Sequence, residues 1–296
     1  MISGKSQLLH GLSFDVEEHF QVSAFWSENR RQQWDSLESR VENNTRRIAE
    51  LLAAHHMKAT FFVLGWVAER HPELVRFLSR EGHEIASHGH SHELVTAQSP
   101  EGFRADIRKA KHILEDIIGK PVLGYRAPSF SIIKKTEWAL EILVEEAYLY
   151  DSSIFPIFHD RYGMPGAEPH CHRLTTEAGP LWEVPPSTIE IFGLRWPVAG
   201  GGYFRLIPYR VLRHFLRRIE RAGRPLVMYL HPWELDPAQP RMEGSLLSQF
   251  RHYNNLHKTE PRLVSLLNEF HFGPIQRLIG IMEHSHRESL QSAVGD

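Results

Sequence analysis

The sequence predicts an α/β fold built as a closed β/α barrel, and three observations support this. Short apolar segments of strand length alternate with amphipathic helical segments along most of the chain, the pattern of a parallel β/α arrangement. Asp15, His88, Arg126, Asp151 and His231 each stand directly after a predicted strand, and a barrel gathers such positions on one face. No Gly-rich phosphate fingerprint follows the first strand, which argues against an open dinucleotide-binding sheet.

The elements follow in order. Residues 8–14 form an apolar run that ends in Asp15-Val16-Glu17-Glu18-His19. A helix is predicted over 40–55, with Val41, Ile48, Leu51 and Leu52 on one face, followed by a buried strand over 59–64. Pro72 opens a short helix over 72–80, and Gly82 stops it before a strand over 84–86. That strand leads into Ser87-His88-Gly89-His90-Ser91-His92. Ser99 reads as an N-cap with Pro100 at the first helical position, and Phe103, Ile107, Ala110, Leu114 and Ile117 form a stripe that ends at Gly119. The strand over 122–125 ends in Arg126-Ala127-Pro128. A helix over 136–147 precedes the strand over 148–150, which ends in Asp151-Ser152-Ser153. Strands over 181–184 and 226–230 follow, with a helix over 209–222 between them, and the last strand ends in His231-Pro232-Trp233-Glu234.

Segments 163–169 and 232–244 read as loops, and Gly200-Gly201-Gly202 as a flexible or close-approach loop before Tyr203. The helix over 209–222 carries Arg210, Arg213, Arg217, Arg218 and Arg221 opposite Val211, Leu212, Phe215, Leu216 and Ile219. It reads as an outer barrel helix with a solvated basic face, or as one that docks on anionic lipid or polysaccharide.

Composition bounds the rest. With 296 residues, 42% of them hydrophobic, the chain can bury a full core, and one domain over 1–282 is expected, with a C-terminal extension from about residue 240 and a polar tail over 283–296. A formal net charge of -2 gives no case for nucleic acid as a partner. Cys171 stands alone, so no intramolecular disulfide forms and the cytoplasm is the expected location. Residues 1–10 lack a signal-type apolar core, and no run of about 18 apolar residues occurs, so neither secretion by that route nor a membrane span is expected. Peripheral contact at the inner membrane surface is compatible with this reading.

Carboxylates at the end of one strand and imidazoles at the end of another are potential ligands of a divalent metal, and they make a metal-dependent hydrolase the leading idea. Asp15-Val16-Glu17, His88-x-x-x-His92, Arg126-x-Pro128 and Leu230-His231 occur in the order and approximate spacing of a known family. The chain resembles the polysaccharide deacetylases with a NodB-homology domain, carbohydrate esterase family 4. The stretches around Phe14-Asp15-Val16-Glu17-Glu18-His19-Phe20-Gln21, Tyr125 to Ser131 and Tyr229 to Glu234 are similar to the subgroup associated with exosortase-linked exopolysaccharide loci.

The resemblance implies a distorted (β/α) barrel of the NodB-homology type with about seven strands. It implies removal of N-acetyl groups from hexosamine residues of a polysaccharide or its lipid-linked precursor. Asp15 is implied as general base and His231 as general acid, with Arg126 placed to orient Asp15. His88 and His92 are implied as imidazole ligands, brought together by one helical turn or a tight loop, with His90 pointing away. The family commonly has two adjacent aspartates where this chain has Asp15-Val16. A variant Asp-Val-Asp pattern maps the carboxylate ligand onto Glu17, two residues on and hence on the same face as Asp15, with Glu18 or His19 as alternatives.

The cofactor implied is one divalent ion, with zinc the default and cobalt or nickel as alternatives. By the same resemblance the backbone N–H of Ser129 faces the oxyanion. Asp151 holds the His231 imidazole or contacts sugar, while Phe130, Trp233 and Tyr203 offer stacking surfaces. Two other readings stay open: an allantoinase-like hydrolase of a small cyclic amide, and a catalytically silent carbohydrate-binding protein.

Overall fold

The computed structural model describes residues 8–25 and 31–294, with the side chains of 285–294 outside the description. Strand β1 (His10–Val16) is buried along its whole length because parallel strands pair with both of its edges. Helix α1 (Val41–Ala54), strand β2 (Thr60–Val63), helices α2 (Gly65–Arg70) and α3 (Pro72–Arg80), and strand β3 (Glu84–Ser87) follow. Next come α4 (Pro100–Ile118), β4 (Gly124–Tyr125), α5 (Trp138–Glu145) and β5 (Tyr150–Asp151). Strands β6 (His172–Thr176) and β7 (Gly179–Glu183) form an antiparallel pair, and β8 (Thr188–Ile191) and β9 (Leu194–Pro197) make a separate hairpin. Helices α6 (Gly201–Leu206) and α7 (Tyr209–Arg221), strand β10 (Val227–Leu230), helices α8 (Leu246–Tyr253) and α9 (Thr259–Glu269), strand β11 (Phe272–Gly273) and helix α10 (Ile275–Val294) complete the chain.

The strands run in the order β10-β1-β2-β3-β4-β5-β7-β6, and the seven from β10 to β7 are parallel. This is the expected barrel, and its distortion has a visible cause. The free edge of β7 is taken by β6, so closure towards β10 falls to Ser187, whose N–H donates to the Val227 carbonyl (3.0 Å) while its Oγ accepts the Val227 N–H (2.8 Å).

The helices end where their residues predict. Ser99 Oγ accepts the Gly102 N–H at the start of α4, and Gly119, at φ 67°, ends it. Alternation along β2 sends Phe61 and Val63 towards the helices and Phe62 into the barrel, where it packs with Ala86, Tyr150 and Trp182.

The far end of the chain differs from expectation. Instead of a polar tail from 283, α10 continues to Val294, and residues 295–296 lie outside the described residues. Its N-terminus is docked at the N-terminal end of the barrel, where Thr60 Oγ1 accepts the Ile275 N–H (2.8 Å) and Glu84 accepts the Gln276 N–H (3.0 Å). Ile275, Leu278 and Ile279 pack against Phe62 and Trp182, so the helix plugs this end and leaves the opposite one for chemistry. Among the described residues no helix is long and apolar enough to cross a membrane.

Candidate active site

Three donor atoms meet at the C-terminal end of the barrel. One ligand atom from each of Glu17, His88 and His92 lies within 4.8 Å of the others, and all three side chains are buried. Glu17 Oε2 touches His92 Nε2 and lies 3.8 Å from His88 Nε2. A loop, not a helical turn, brings the imidazoles together: Gly89 and His92 both adopt left-handed backbone, at φ 73° and 55°. Asp106 of α4 holds this loop by accepting the N–H groups of His90 and Ser91 and the Ser91 hydroxyl, and a Cβ at Gly89 would crowd its carboxylate at 2.8 Å. His90 points away, to Glu69 (3.1 Å).

The donor set fits a divalent cation. His88 Nδ1 donates to the Arg126 carbonyl (2.7 Å), which leaves its Nε2 lone pair facing Glu17. Burial lowers the His92 pKa, an effect only partly offset by Glu17, so the neutral ligand form is favoured. Burial alone would raise the Glu17 carboxyl, but His92, His88 and His231 hold it well below the usual carboxylate range. Two imidazoles and one carboxylate are a donor set typical of catalytic zinc sites, with room left for water or substrate.

Glu18 and His19 drop out as ligands. The Glu18 carboxylate accepts the N–H groups of Arg40 and Val41 at the start of α1, together with the Ser39 hydroxyl (2.5 Å). His19 is buried with its ring edge-on to Phe20.

Asp15 and His231 flank the triad. One Asp15 oxygen accepts from Arg126 Nη1 (2.7 Å), and the other lies 3.8 Å from His231 Nε2, which is also 3.8 Å from Glu17 Oε1. Arg126 is fully buried. It donates to Ser13 Oγ, the Ser152 carbonyl and Ser152 Oγ, and its guanidinium lies 4.1 Å from the centre of the Phe62 ring.

His231 opens onto a pocket of about 440 Å³ that Tyr229, Trp233, Gly202 and Arg161 also line. Ser129 is half-exposed, at φ 52°, with its Oγ 2.8 Å from Ser23 Oγ, and Ser23 lines the same pocket.

Two families of known sequences divide the chain. Residues 33–143 match the family described as "Polysaccharide deacetylase", and residues 152–280 match "Domain of unknown function (DUF3473)". Residues 33–143 are thus similar to polysaccharide deacetylases. The chain is 35% identical over 98 residues to the peptidoglycan-N-acetylglucosamine deacetylase of Bacillus cereus, covering 33% of this chain and 36% of the relative. It is 30% identical over 108 residues to the peptidoglycan deacetylase of Helicobacter pylori, covering 36% of each. It is 39% identical over 70 residues to the chitooligosaccharide deacetylase of Rhizobium leguminosarum bv. trifolii, covering 24% of this chain and 33% of that one. The matched segment thus spans about a third of each relative's length. A solved structure from Mycobacterium smegmatis, assigned as a polysaccharide deacetylase, superposes over 94% of this chain and 90% of its own, with a TM-score of 0.61 at 20% identity, which shows the shared fold.

Three of the expected site residues are engaged elsewhere. Asp151 does not reach His231. It is fully buried beside Glu183, its partner in strand register, and accepts from the Ser153 N–H and Oγ. Burial raises both of these carboxyls, Glu183 well above the usual range. Phe130 offers no open face, since its ring packs on Tyr229, Phe155 and Tyr162. Trp233 has its faces covered by His231 (5.0 Å between ring centres) and His252 (4.1 Å), and its indole N–H donates to Glu17 Oε1 (3.1 Å). It therefore orients the carboxylate ligand instead of stacking on sugar.

The residue that holds His231 is Glu234, which sequence reasoning missed. Glu234 Oε1 accepts from His231 Nδ1 (2.8 Å) and the His231 N–H (3.0 Å), while Oε2 accepts from buried Arg205 Nε (2.7 Å). The signal was present as an i, i+3 capping-box spacing across Pro232. Gly201 is the close approach that the glycine run predicts: a Cβ there would fall on the Glu234 carboxylate.

Burial opposes protonation of His231, but the Glu234 bond, with Glu17 and Asp15 behind it, raises its pKa to about 9. A group raised in this way keeps its proton up to that pH and loses it above, so a general acid at this position fails on the alkaline side. Glu234→Gln is expected to move the alkaline limb of the rate profile to lower pH, towards the ordinary imidazole value near 6.5. Glu17 and Asp15 act equally in both proteins, so a profile with an unmoved alkaline limb would refute this role for Glu234.

Proposed function

We propose that the chain is a metal-dependent N-deacetylase that removes acetyl groups from N-acetylhexosamine residues of a polysaccharide or its lipid-linked precursor, in exopolysaccharide biosynthesis. The observation that carries the reading is the buried Glu17–His88–His92 donor set with Asp15 and His231 on its open side. The relatives support the substrate class, since their names specify N-acetylglucosamine in peptidoglycan and chitooligosaccharide.

Hydrolysis of an acetamide adds water to the carbonyl carbon and then breaks the C–N bond, giving acetate and a free amine. A divalent cation in the triad, zinc by default, would supply Lewis-acid polarisation of the acetyl carbonyl. Asp15, with one oxygen fixed by Arg126, takes the proton of the attacking water through its other oxygen. His231 gives its Nε2 proton to the departing nitrogen, with Glu234 on Nδ1 keeping the ring in register. The N–H of Ser129 is proposed to face the oxyanion.

Purified protein is expected to carry about one equivalent of divalent metal per chain. It is expected to release acetate from N-acetylated glycans, to lose that activity on chelation, and to regain it with zinc, cobalt or nickel. Full activity in metal-stripped protein, or turnover of a cyclic amide without release of acetate from glycans, would remove this reading.

A further inference from the structure

A second, larger concavity of about 990 Å³ lies across segment 157–161 from the catalytic pocket. Ile157 and Phe158 line it, whereas Asp160 and Arg161 line the pocket. One wall is the β8–β9 hairpin, whose register pairs Ile189 with Trp196 and Ile191 with Leu194, so one face is apolar. Phe215 of α7 also lines the concavity.

The hairpin and Phe158 of segment 157–161 present large apolar groups to solvent. Phe192 at the tip is 100% exposed, Phe158 88%, Leu194 61% and Trp196 53%. Phe192 also adopts left-handed backbone, at φ 53°, in a two-residue turn completed by Gly193 at φ 74°. That turn favours Asn or Gly at its first position, so folding preferences do not explain an exposed phenylalanine there.

A basic ridge borders the groove. On a helix of 3.6 residues per turn, Val211 and Arg218 flank Phe215, and His214, Arg221 and Arg210 come next around the surface. Arg210, Arg218 and Arg221 are exposed, and among the described residues none makes an ion pair. Apolar groups beside unpaired arginines are the pattern of an interfacial surface, and the complementary charge is anionic.

We propose that the hairpin tip, the groove behind it and the arginine ridge of α7 dock the protein on an anionic lipid bilayer. Phe192 and Leu194 enter the boundary between headgroups and acyl chains, Trp196 sits at headgroup depth, and Arg210, Arg218 and Arg221 meet lipid phosphates. Because the groove and the catalytic pocket share segment 157–161 and helix α6, docking brings the pocket mouth close to the membrane surface. The proposal does not depend on the deacetylase reading, since its test measures partition and not turnover.

The full chain is mixed with vesicles of phosphatidylcholine alone or with phosphatidylglycerol and sedimented, and its oligomeric state is measured by size exclusion without lipid. Co-sedimentation is expected with the anionic vesicles and not with phosphatidylcholine alone, weakening as salt rises. Phe192→Asp is expected to lower partition about tenfold. Arg210→Gln and Arg218→Gln are each expected to lower it about fivefold. All three variants are expected to melt like the wild-type chain. The proposal is overturned if the wild-type chain stays in the supernatant, if it binds both vesicle types equally, or if Phe192→Asp partitions unchanged. A dimer that Phe192→Asp dissolves would likewise overturn it, by assigning the face to a second copy.

Discussion

Asp15→Asn is expected to lower acetate release by roughly 10²–10⁴-fold while the protein still binds metal and glycan. The asparagine keeps an oxygen for Arg126 Nη1 but cannot take a proton from water at the position 3.8 Å from His231 Nε2. Glu17, His88 and His92 stay in place because their supports come from elsewhere: Trp233 for Glu17, the Arg126 carbonyl for His88 and the Asp106-bound loop for His92. The measurement is kcat alongside metal content and a glycan binding isotherm. Turnover within a few-fold of wild type would mean that Asp15 is not the base, and a chain with no activity before substitution would favour the carbohydrate-binding reading.

Arg126→Met is expected to destabilise the fold by about 3–5 kcal/mol, because removing one member of a buried ion pair strands the other. Arg126 is 0% exposed, and its guanidinium donates to Asp15, Ser13 and Ser152 while lying over Phe62. Lysine cannot replace this fork of donors, so Arg126→Lys is expected to fall between wild type and Met. Combining Arg126→Met with Asp15→Asn removes the stranded charge and is expected to recover part of the loss, which a double-mutant cycle in urea reads directly. A single Arg126→Met variant within 1 kcal/mol of wild type would show that the pair is solvated and the site more open than the structure shows.

Much of the fold was legible in the sequence because parallel strands buried on both faces are written as short apolar runs between amphipathic helices. The segments that escaped notice lack that signature. Strand β6 is half-exposed and reads His172-Arg173-Leu174-Thr175-Thr176, with one large apolar residue, and its antiparallel pairing with β7 supplies the order that periodicity does not. Helix α10 looked like a polar tail from 283 because its outer turns are polar. Its first turn is fixed by Thr60 and Glu84, more than 190 positions away in sequence.

The candidate site divides along the same line. The sequence by itself determined that Asp15, Glu17, His88, Arg126 and His231 stand at strand ends, with His92 four residues beyond His88, because a side chain's position at the end of a strand follows from local periodicity and chain direction. Only the tertiary structure decided which partner each of them takes. Glu234, backed by Arg205, holds His231 in place of Asp151, which is buried beside Glu183. Trp233 serves Glu17 instead of sugar, and Glu18 caps α1. Such choices depend on which long side chains reach the same buried volume and on which charges can be paired once water is excluded, and both are set by contacts between segments that no local pattern records.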